Sequence, residues 1–286
     1  METYFLTNKV KSLISHAEAV SEGPVEPVDL FLGAALVRKG TLLEMYLLME
    51  EEIHDLLVLK RAKEEVSVPH KDFSRSISRR TEQVWNRALE IMQNYNQLYL
   101  NEGHIIKSFY QYWSEEEQQF LKALPHEKIK AAVTTARDLL VSLNTYTKKE
   151  ISDQQAVIKR AEKEHQPAVI KFVEENFGGS WTESILNGFQ QKDIPIFLAW
   201  EESRLIGFSS YDVYRSQKGI YGPMGVLKTE RNNRVGSMLL HQALQDMKEK
   251  NYAYIVLGEA GPIEYYEKEC GAVIIPLKSI FNEELD

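Results

Sequence analysis

Residues 230–240 read ERNNRVGSMLL and join an apolar run to a helical pattern. The run before them, MGVL, is typical of a buried strand, and the residues after them repeat apolar side chains at helical spacing. In the first turn of such a helix the backbone N–H groups lack intrahelical partners, and the helix dipole adds partial positive charge. The stretch therefore predicts a strand–loop–helix unit whose loop suits a phosphate or pyrophosphate. The plain polar start of a surface helix is the alternative.

Strands and helices interleave on both sides of this loop, from about Ala156 to Phe281. Apolar or alternating segments predict strands at QAVIKRA, IPIFLAWEESRLIGFSSYDV, GIYGPMGVL, YAYIVLG and AVIIPL. Helical spacing predicts helices at PAVIKFVEENF, VGSMLLHQALQDMKEKN and PIEYYEKEC. Interleaved elements of both kinds predict an α/β (α+β) domain with a central sheet.

The first half of the chain has a different period. From Asn8 to about Lys148 apolar residues recur at three and four positions, including the segment KIKAAVTTARDLLVSL. This spacing predicts a half that is nearly all helix. The polar segment TKKEISDQ marks the change of period, so we predict an all-α domain at 1–150 and the α/β domain at 151–286.

The composition excludes several classes of function. Lys and Arg number 34 against 42 Asp and Glu, for a net charge of -8, which disfavours a surface that neutralises many phosphates and hence a nucleic acid partner. Cys270 is the single cysteine, so neither an internal disulfide nor a cysteine-rich metal site is expected, and a reducing cytoplasm fits best. No stretch approaches the roughly 20 apolar residues of a membrane span, and the amino terminus has no signal-peptide layout.

Metal chemistry is not expected from this sequence. The seven histidines are scattered without the spacing of a metal site, and the sequence contains no His-Glu-x-x-His. We therefore predict that the protein has no metal cofactor.

The helical half contains a faint internal repeat. The segment HAEAVSEGPVEPVDLFLGAAL, from His16, is similar to RALEIMQNYNQLYLNEGHIIKSFY, from Arg87: each is a helix, a polar loop and an apolar helix. This pattern, over roughly residues 8–110, resembles the repeat of the Clp ATPase amino-terminal domain. The resemblance implies a helical module that binds a protein or peptide partner and has no chemistry of its own. An unrelated helical bundle is the alternative.

The second half resembles the GNAT superfamily of acetyl-CoA-dependent acyltransferases across about 125 residues. Its loop pattern, Gln/Arg-x-x-Gly-x-Gly/Ala, aligns with the six residues from Arg231 to Gly236, and its FYEKxGF signature aligns with YYEKECGA. The resemblance implies a mixed sheet with a cleft where two parallel strands splay, and acetyl-CoA as co-substrate. Arg234 departs from the pattern, because it stands where the family has a glycine that lets the backbone approach the pyrophosphate. Arg234 either shifts the loop or adds a cation beside the same anion.

The resemblance also implies a set of cofactor-binding residues. Backbone groups of three strand residues would hold the pantetheine arm, and the N–H groups from Asn232 to Ser237 would bind the pyrophosphate. The full predicted set is Met224, Gly225, Val226, Arg231, Asn232, Asn233, Arg234, Val235, Gly236 and Ser237. An ordinary core strand with a Gly-Pro kink is the alternative for the strand residues.

Acetyl transfer to a primary amine needs a base, because the free amine has a pKa near ~10.4, and the departing thiolate needs a proton. By resemblance Tyr266 is the acid, while Tyr265 is a core ring of the same short helix. Glu259 is the predicted base, although Asp212 and Tyr214 on the preceding hairpin remain open, as does proximity alone with water as proton acceptor.

These features predict an acetyl-CoA-dependent N-acetyltransferase that acts on the primary amine of a small molecule or protein. The acceptor pocket cannot be identified from the sequence, and Trp181, in the segment GGSW, either lines that pocket or fills the core. The rival hypothesis is a non-catalytic protein- or peptide-binding protein whose acyltransferase half, weakened at Arg234, only senses coenzyme A.

Overall fold

A computed structural model describes residues 4–58, 66–95, 97–149, 151, 156–214, 217–231 and 233–277. The described chain forms two compact units. One contains the residues up to Thr135 together with Pro276 and Leu277, and the other contains the described residues of 136–275. Each unit has its own apolar core, so each is described separately below.

The first unit is helical, as predicted. Its helices are α1 Asn8–Val20, α2 Pro27–Leu36, α3 Thr41–Leu47, α4 Ile53–Val58, α5 Arg79–Asn94, α6 Glu102–Tyr112, α7 Glu115–Phe120 and α8 His126–Thr134. Four two-residue strands accompany them: β1 Phe5–Leu6, β2 Ser67–Val68, β3 Ile77–Ser78 and β4 Tyr99–Leu100. The strands are too short to form a sheet that organises the unit, so packing between helices carries the fold.

The N-caps of the helices follow the internal repeat. Thr7 caps α1 and Ser78 caps α5, and in both cases the hydroxyl accepts the backbone N–H three residues ahead. The second helix of each repeat also begins alike. The N–H that precedes α2 is bound by the Asp29 carboxylate, and the N–H that precedes α6 is bound by His104 Nδ1. The same capping chemistry therefore recurs at equivalent points of the two repeats.

The two repeats also exchange strands in a reciprocal way. Leu6, at the start of the first repeat, pairs in parallel with Leu100, in the middle of the second. Ile77, at the start of the second repeat, forms a parallel bridge with Val25, in the middle of the first. These two pairings map onto each other when the repeats are interchanged. The repeat is thus a structural pseudo-symmetry as well as a sequence pattern.

Close packing of α1 and α2 depends on Gly33. A Cβ placed on Gly33 would lie 2.7 Å from the backbone nitrogen of Ala17 and 2.7 Å from the backbone oxygen of Leu13. Backbone atoms cannot move aside as a side-chain rotamer does. Any larger residue at Gly33 must therefore separate the two helices.

The second unit is an α/β domain with a seven-stranded mixed sheet. Its strands are β5 Arg137–Ser142, β6 Ala156–Arg160, β7 Ile196–Glu201, β8 Arg204–Tyr211, β9 Ile220–Val226, β10 Tyr254–Ala260 and β11 Val273–Ile274. Its helices are α9 Gln166–Phe177, α10 Thr182–Phe189, α11 Val235–Glu249 and α12 Ile263–Cys270. The spatial order is β11-β5-β10-β9-β8-β7-β6, and only β9 and β10 run parallel. The predicted fold class is confirmed.

One segment of the predicted helical half belongs to this sheet. Residues 137–142, which the apolar spacing assigned to a helix, form β5, and β5 pairs with β10 on one side and β11 on the other. The burial of β5 alternates along the strand, from the fully buried Arg137 onward. That alternation was masked in the sequence by adjacent leucines. Helix α8 ends at Thr134, so the change from helix to strand precedes the polar segment that marks the predicted boundary.

The sheet is covered on both faces. One core lies between the sheet, α11 and α12, and includes Leu239 and Ile255. The other lies between the sheet, α9 and α10, and includes Val169 and Phe208. Burial on both faces explains why β7 and β8 are apolar along most of their length. In the described part of the chain, no helix is long and apolar enough to cross a membrane.

We predict that Gly33→Ala destabilises the helical unit. Overpacking against fixed backbone costs about 1–3 kcal/mol, which exceeds the gain of about 1 kcal/mol from replacing glycine by alanine inside a helix. Urea unfolding followed by circular dichroism measures the difference. Gly103→Ala in α6 is the matched control, because its Cβ would lie 3.1 Å from the Val133 oxygen and is expected to cost less. A Gly33→Ala protein as stable as the unmodified one would contradict the packing argument.

We also predict that a fragment of residues 151–286 does not fold, whereas a fragment of residues 136–286 does. The shorter fragment lacks β5, so the facing edges of β10 and β11 lose their partner strand and become sites of aggregation. Size-exclusion chromatography and amide-proton NMR dispersion compare the two fragments. A 151–286 fragment that elutes as a single monomer peak and has well-dispersed amide-proton signals would show that β5 is dispensable.

Candidate functional site

The sheet opens between its two parallel strands. β9 and β10 pair only at Ile220 with Val256 and at Tyr221 with Leu257. Beyond that point β9 remains paired with β8, and β10 is next paired with β5, at Ala260. The facing edges of β9 and β10 are therefore separate over the last residues of both strands. The result is the splayed cleft that the family resemblance implies.

Backbone alternation decides which groups of β9 face this cleft. The N–H of Leu227 donates to the Ile206 oxygen on β8, and Gly225 is paired with Phe208 on the same side. In a strand, alternate residues direct their backbone groups to opposite neighbours. The backbone groups of Met224 and Val226 therefore point toward the cleft, and those of Gly225 point toward β8. The Val226 oxygen also accepts a hydrogen bond from Arg231 Nε, at 3.3 Å.

The loop after β9 is built around the Glu230 carboxylate. Glu230 is 7% exposed and accepts hydrogen bonds from Arg204, Thr229 and Asn233, at 2.8, 2.9 and 3.0 Å. The bond from Arg204 is the main cause of a lowered pKa of Glu230, and the bond from Thr229 adds to it. The charged form of Glu230 thus connects β8 to both sides of the predicted anion loop. No pattern in the sequence predicted this role.

The first turn of α11 presents backbone donors. The N–H of Met238 bonds to the Arg234 oxygen, and no side chain caps the helix. Within the described residues, no hydrogen bond is formed by the N–H groups of Val235, Gly236 and Ser237. These three donors, together with the helix dipole, make the start of α11 suited to an anion. The predicted strand–loop–helix geometry is therefore present.

Arg234 takes the backbone conformation of the glycine that it replaces. Its φ is 58° and its ψ is 6°, in the left-handed region, at the N-cap of α11. A non-glycine residue there costs roughly 1–2 kcal/mol. The side chain of Arg234 is exposed. The turn is left-handed at Arg234, and the role of this cation beside an anion stays a prediction. Asn232, also predicted to bind the cofactor, lies outside the described residues.

Two adjacent tyrosines occupy α12, and one of them, Tyr265, lies beside this turn. The Tyr265 hydroxyl lies 3.3 Å from Ser237 Oγ and 3.3 Å from the position that a Cβ would take on Gly236. Tyr266 is 8% exposed, and its ring lies 5.0 Å from that of Tyr265 in a T-shaped contact. Both phenols have a pKa raised chiefly by burial, so both are protonated at neutral pH and able to donate.

The candidate bases occupy different surroundings. Glu259 is exposed on β10, past the last pair with β9, and its N–H donates to Asp138 Oδ1. Asp212 is occupied, because its carboxylate accepts the Gly219 N–H at 2.7 Å and the Tyr252 hydroxyl at 2.5 Å. These two bonds close the hairpin between β8 and β9. Tyr214 lies in the same hairpin, away from the open end of β9.

A buried polar chain that the sequence did not reveal connects α11 and α12. His241 is 1% exposed, and its Nε2 lies 3.2 Å from Glu269 of α12, while its Nδ1 lies 2.6 Å from the Tyr146 hydroxyl. Burial lowers the pKa of His241, which favours the neutral ring: Nε2–H donates to Glu269, and Nδ1 accepts from Tyr146. His241 lies one turn after Ser237, so two polar contacts align α12 with the first turn of α11. In the sequence, the only sign of this arrangement is that Ser237 and His241 are four residues apart, which places both on one face of α11.

The described residues contain no group of three or more His, Cys, Asp or Glu side chains arranged to hold a metal ion. The site combines a turn suited to an anion, an opened strand edge and the neutral hydroxyl of Tyr265.

Comparison with known proteins agrees with this arrangement. Residues 160–272 match the family model described as the acetyltransferase (GNAT) family. No curated protein sequence matches the chain.

Solved structures of two kinds are similar to the chain. A fungal GH3 beta-N-acetylglucosaminidase with a GCN5-related glucosamine N-acetyltransferase region is 14% identical, with a TM-score of 0.43, over 49% of this chain and 19% of that one. A GCN5-related N-acetyltransferase from Sphaerobacter thermophilus is 16% identical, with a TM-score of 0.40, over 49% of each chain. The N-terminal domain of the chaperone ClpD from Arabidopsis thaliana is 15% identical, with a TM-score of 0.35, over 46% of this chain and 94% of that one. The chain thus spans half or less of the first two relatives.

The splayed sheet, the left-handed turn before α11 and the family match describe the same segment of the chain. Residues 160–272, which contain these features, are thus the part of the chain that matches the acetyltransferase (GNAT) family.

Proposed function

We propose that the second unit transfers an acetyl group from acetyl-CoA to the primary amine of a small molecule or protein. The observation that carries this proposal is the uncapped start of α11 next to the open end of β9, with the Tyr265 hydroxyl 3.3 Å from Ser237 Oγ. The backbone groups of Met224 and Val226 would then form hydrogen bonds to an extended pantetheine arm, as in strand addition. Gly225, also predicted to bind this arm, contributes room on the other face of the strand.

The turn before α11 would hold the pyrophosphate. The N–H groups of Val235, Gly236 and Ser237 supply hydrogen bonds, and Arg231 and Arg234 add positive charge. Asn233 contributes by tying the turn to Glu230. Together with Asn232 these residues make up the predicted cofactor site.

The reaction requires a proton donor and a proton acceptor. Attack of the neutral amine on the thioester produces an oxyanion and then a thiolate, and the thiolate takes up a proton on leaving. We assign the donor role to Tyr266, which the family signature identifies, with Tyr265 held beside it by Ser237. Among the candidate bases we favour Glu259, because Asp212 is engaged by two donors and Glu259 is exposed on the strand that borders the cleft.

A second candidate function is favoured by Arg234. The strain of a left-handed arginine works against a tight turn, as expected of a domain that senses coenzyme A without turnover. In that case the helical unit would provide the activity, by binding a protein or peptide partner. In either case we expect a cytoplasmic protein, in keeping with a single cysteine.

The two candidates predict different behaviour of the tyrosine variants. If the protein is an acetyltransferase, Tyr266→Phe should lower kcat by about tenfold to a hundredfold, because loss of a general acid slows proton transfer. The dissociation constant of acetyl-CoA should not change. Calorimetry gives the dissociation constant, and thiol release with a panel of primary amines gives kcat.

Tyr265→Phe is the matched control for this experiment. It removes a neighbouring hydroxyl from the same helix and should reduce kcat less than Tyr266→Phe does. A larger effect of Tyr265→Phe would transfer the acid role to Tyr265. Tight binding of acetyl-CoA with no turnover of any amine would favour the second candidate function.

We predict that Glu230→Gln weakens acetyl-CoA binding by about two- to fivefold, since an ion pair whose arginine is half-exposed contributes modestly. Glu201→Gln is the matched control, because Glu201 binds the same Arg204 but makes no hydrogen bond to the turn residues Thr229 and Asn233. The pKa of Glu230 is lowered in the folded protein, so its contribution is present above the ordinary glutamate pKa and is lost as pH falls through the lowered value. The difference in acetyl-CoA affinity between the unmodified protein and Glu230→Gln should therefore be largest at neutral pH and disappear in acid. Equal affinities of the two variants at neutral pH would contradict the role of Glu230.

A further inference from the structure

A cluster of aromatic rings lies on the sheet face opposite to α11. Phe177, the last residue of α9, stacks on Trp181 with ring centroids 5.4 Å apart and an angle of 26° between the planes. Both rings contact the edge or face of Phe208, at 5.9 and 6.2 Å. Phe208 is fully buried on β8, whereas Phe177 and Trp181 are only half-buried. We call this stacked, partly exposed pair of Phe177 and Trp181 the aromatic wall.

The aromatic wall borders the cleft at Gly225. A Cβ placed on Gly225 would lie 2.6 Å from Cζ and 2.8 Å from Cε2 of Phe177. The ring of Phe177 therefore lies directly on the strand whose other edge faces the opened cleft. Because Gly225 carries no side chain, the ring reaches the backbone at the strand position next to Met224 and Val226. The wall is thus adjacent to the place where the thioester arm would run.

The chain between the two rings carries no charge. Residues 177–182 read FGGSWT, and acidic residues flank this segment at Glu175 and Glu183. Gly178 and Gly179 are open, because a Cβ on either would meet nothing within 4 Å. A flat apolar group would find two half-buried rings and free space beside them.

We propose that the acyl acceptor is an amine that carries a planar aromatic ring, and that this ring packs on the aromatic wall while the amine reaches the thioester in the cleft. This inference rests on the proposed acetyl transfer and adds to it the chemical class of the acceptor. Contacts between aromatic rings are more favourable than the burial of their apolar area alone. A planar ring of the acceptor that covers the half-exposed wall would therefore bind more tightly than an aliphatic group of the same size. Phe208 and Phe172 hold the wall from below, so the rings need little ordering on binding.

The experiment compares three amines with the full-length protein. The amines are 2-phenylethylamine, 2-cyclohexylethylamine, which has a ring of similar size without a π face, and glucosamine, which is polar. Saturation-transfer NMR measures binding of each amine, and thiol release from acetyl-CoA measures kcat/KM. We expect kcat/KM for 2-phenylethylamine to exceed that for 2-cyclohexylethylamine about two- to tenfold, and that for glucosamine by more. The difference should lie in KM.

Variants connect the preference to the wall. Trp181→Leu should remove most of the advantage of 2-phenylethylamine, and Trp181→Phe should keep most of it because an aromatic ring remains. Phe177→Leu provides a second test if Trp181→Leu folds poorly, and circular dichroism checks folding of each variant. The affinity for acetyl-CoA should stay the same in the two Trp181 variants, because the ring that packs on Gly225 of β9 is that of Phe177.

The outcomes separate this inference from the proposed function. A preference for 2-phenylethylamine that Trp181→Leu abolishes supports the inference. Preference for glucosamine, equal use of the two ringed amines, absence of any contact of 2-phenylethylamine with the protein, or a preference that survives Trp181→Leu and Phe177→Leu would overturn it. The proposed function fails on a different measurement, namely if acetyl-CoA does not bind.

Discussion

The structure of the second unit depends on the point at which β9 and β10 stop pairing. After Tyr221 and Leu257 the two parallel strands continue without each other, although each keeps its other neighbour. Unpaired backbone groups inside a domain are costly unless a partner satisfies them. An opened strand edge is therefore stable only beside water or a ligand that pairs with it. This constraint explains why the site residues gather at the end of β9 and not elsewhere in the sheet.

The turn after β9 combines strain with compensation. Arg234 adopts a left-handed conformation that a glycine adopts more easily, and the first turn of α11 remains uncapped. Against these costs stands the Glu230 carboxylate, which binds Arg204 of the neighbouring strand and Asn233 of the same turn. The acidic residue thus holds a turn that is otherwise suited to anions. The contact from His241 of α11 to Glu269 of α12 holds α12 where Tyr265 meets Ser237 at the start of α11.

The helical unit illustrates a different principle. Its repeats are short, and neither has enough strand to form a sheet. Reciprocal pairing of Leu6 with Leu100 and of Ile77 with Val25 joins each repeat to the other at equivalent points. Helix packing brings the backbones of α1 and α2 close together, because Gly33 of α2 has no side chain. A protein or peptide partner for this unit remains a proposal.

Much of this architecture could be predicted from the sequence, because its signals are local. The period of apolar residues specified the helices of the first half and the interleaved elements of the second, and the Arg231–Gly236 pattern located the turn before α11. Strand β5 was missed, because the apolar residues of LLVSL fit a buried helix as well as a buried strand. Pairing with β10 and β11 decides the conformation of this segment.

The sequence by itself therefore determined the order of most elements, the segment that matches the acyltransferase family and the position of the turn before α11. The tertiary structure alone decided where the strands part, which of the backbone groups at Met224, Gly225 and Val226 face the cleft, and that Phe177 packs on Gly225. The physical reason is that these features depend on contacts between residues far apart in the chain. Local spacing records how a segment folds, but it does not record which distant segment packs against it.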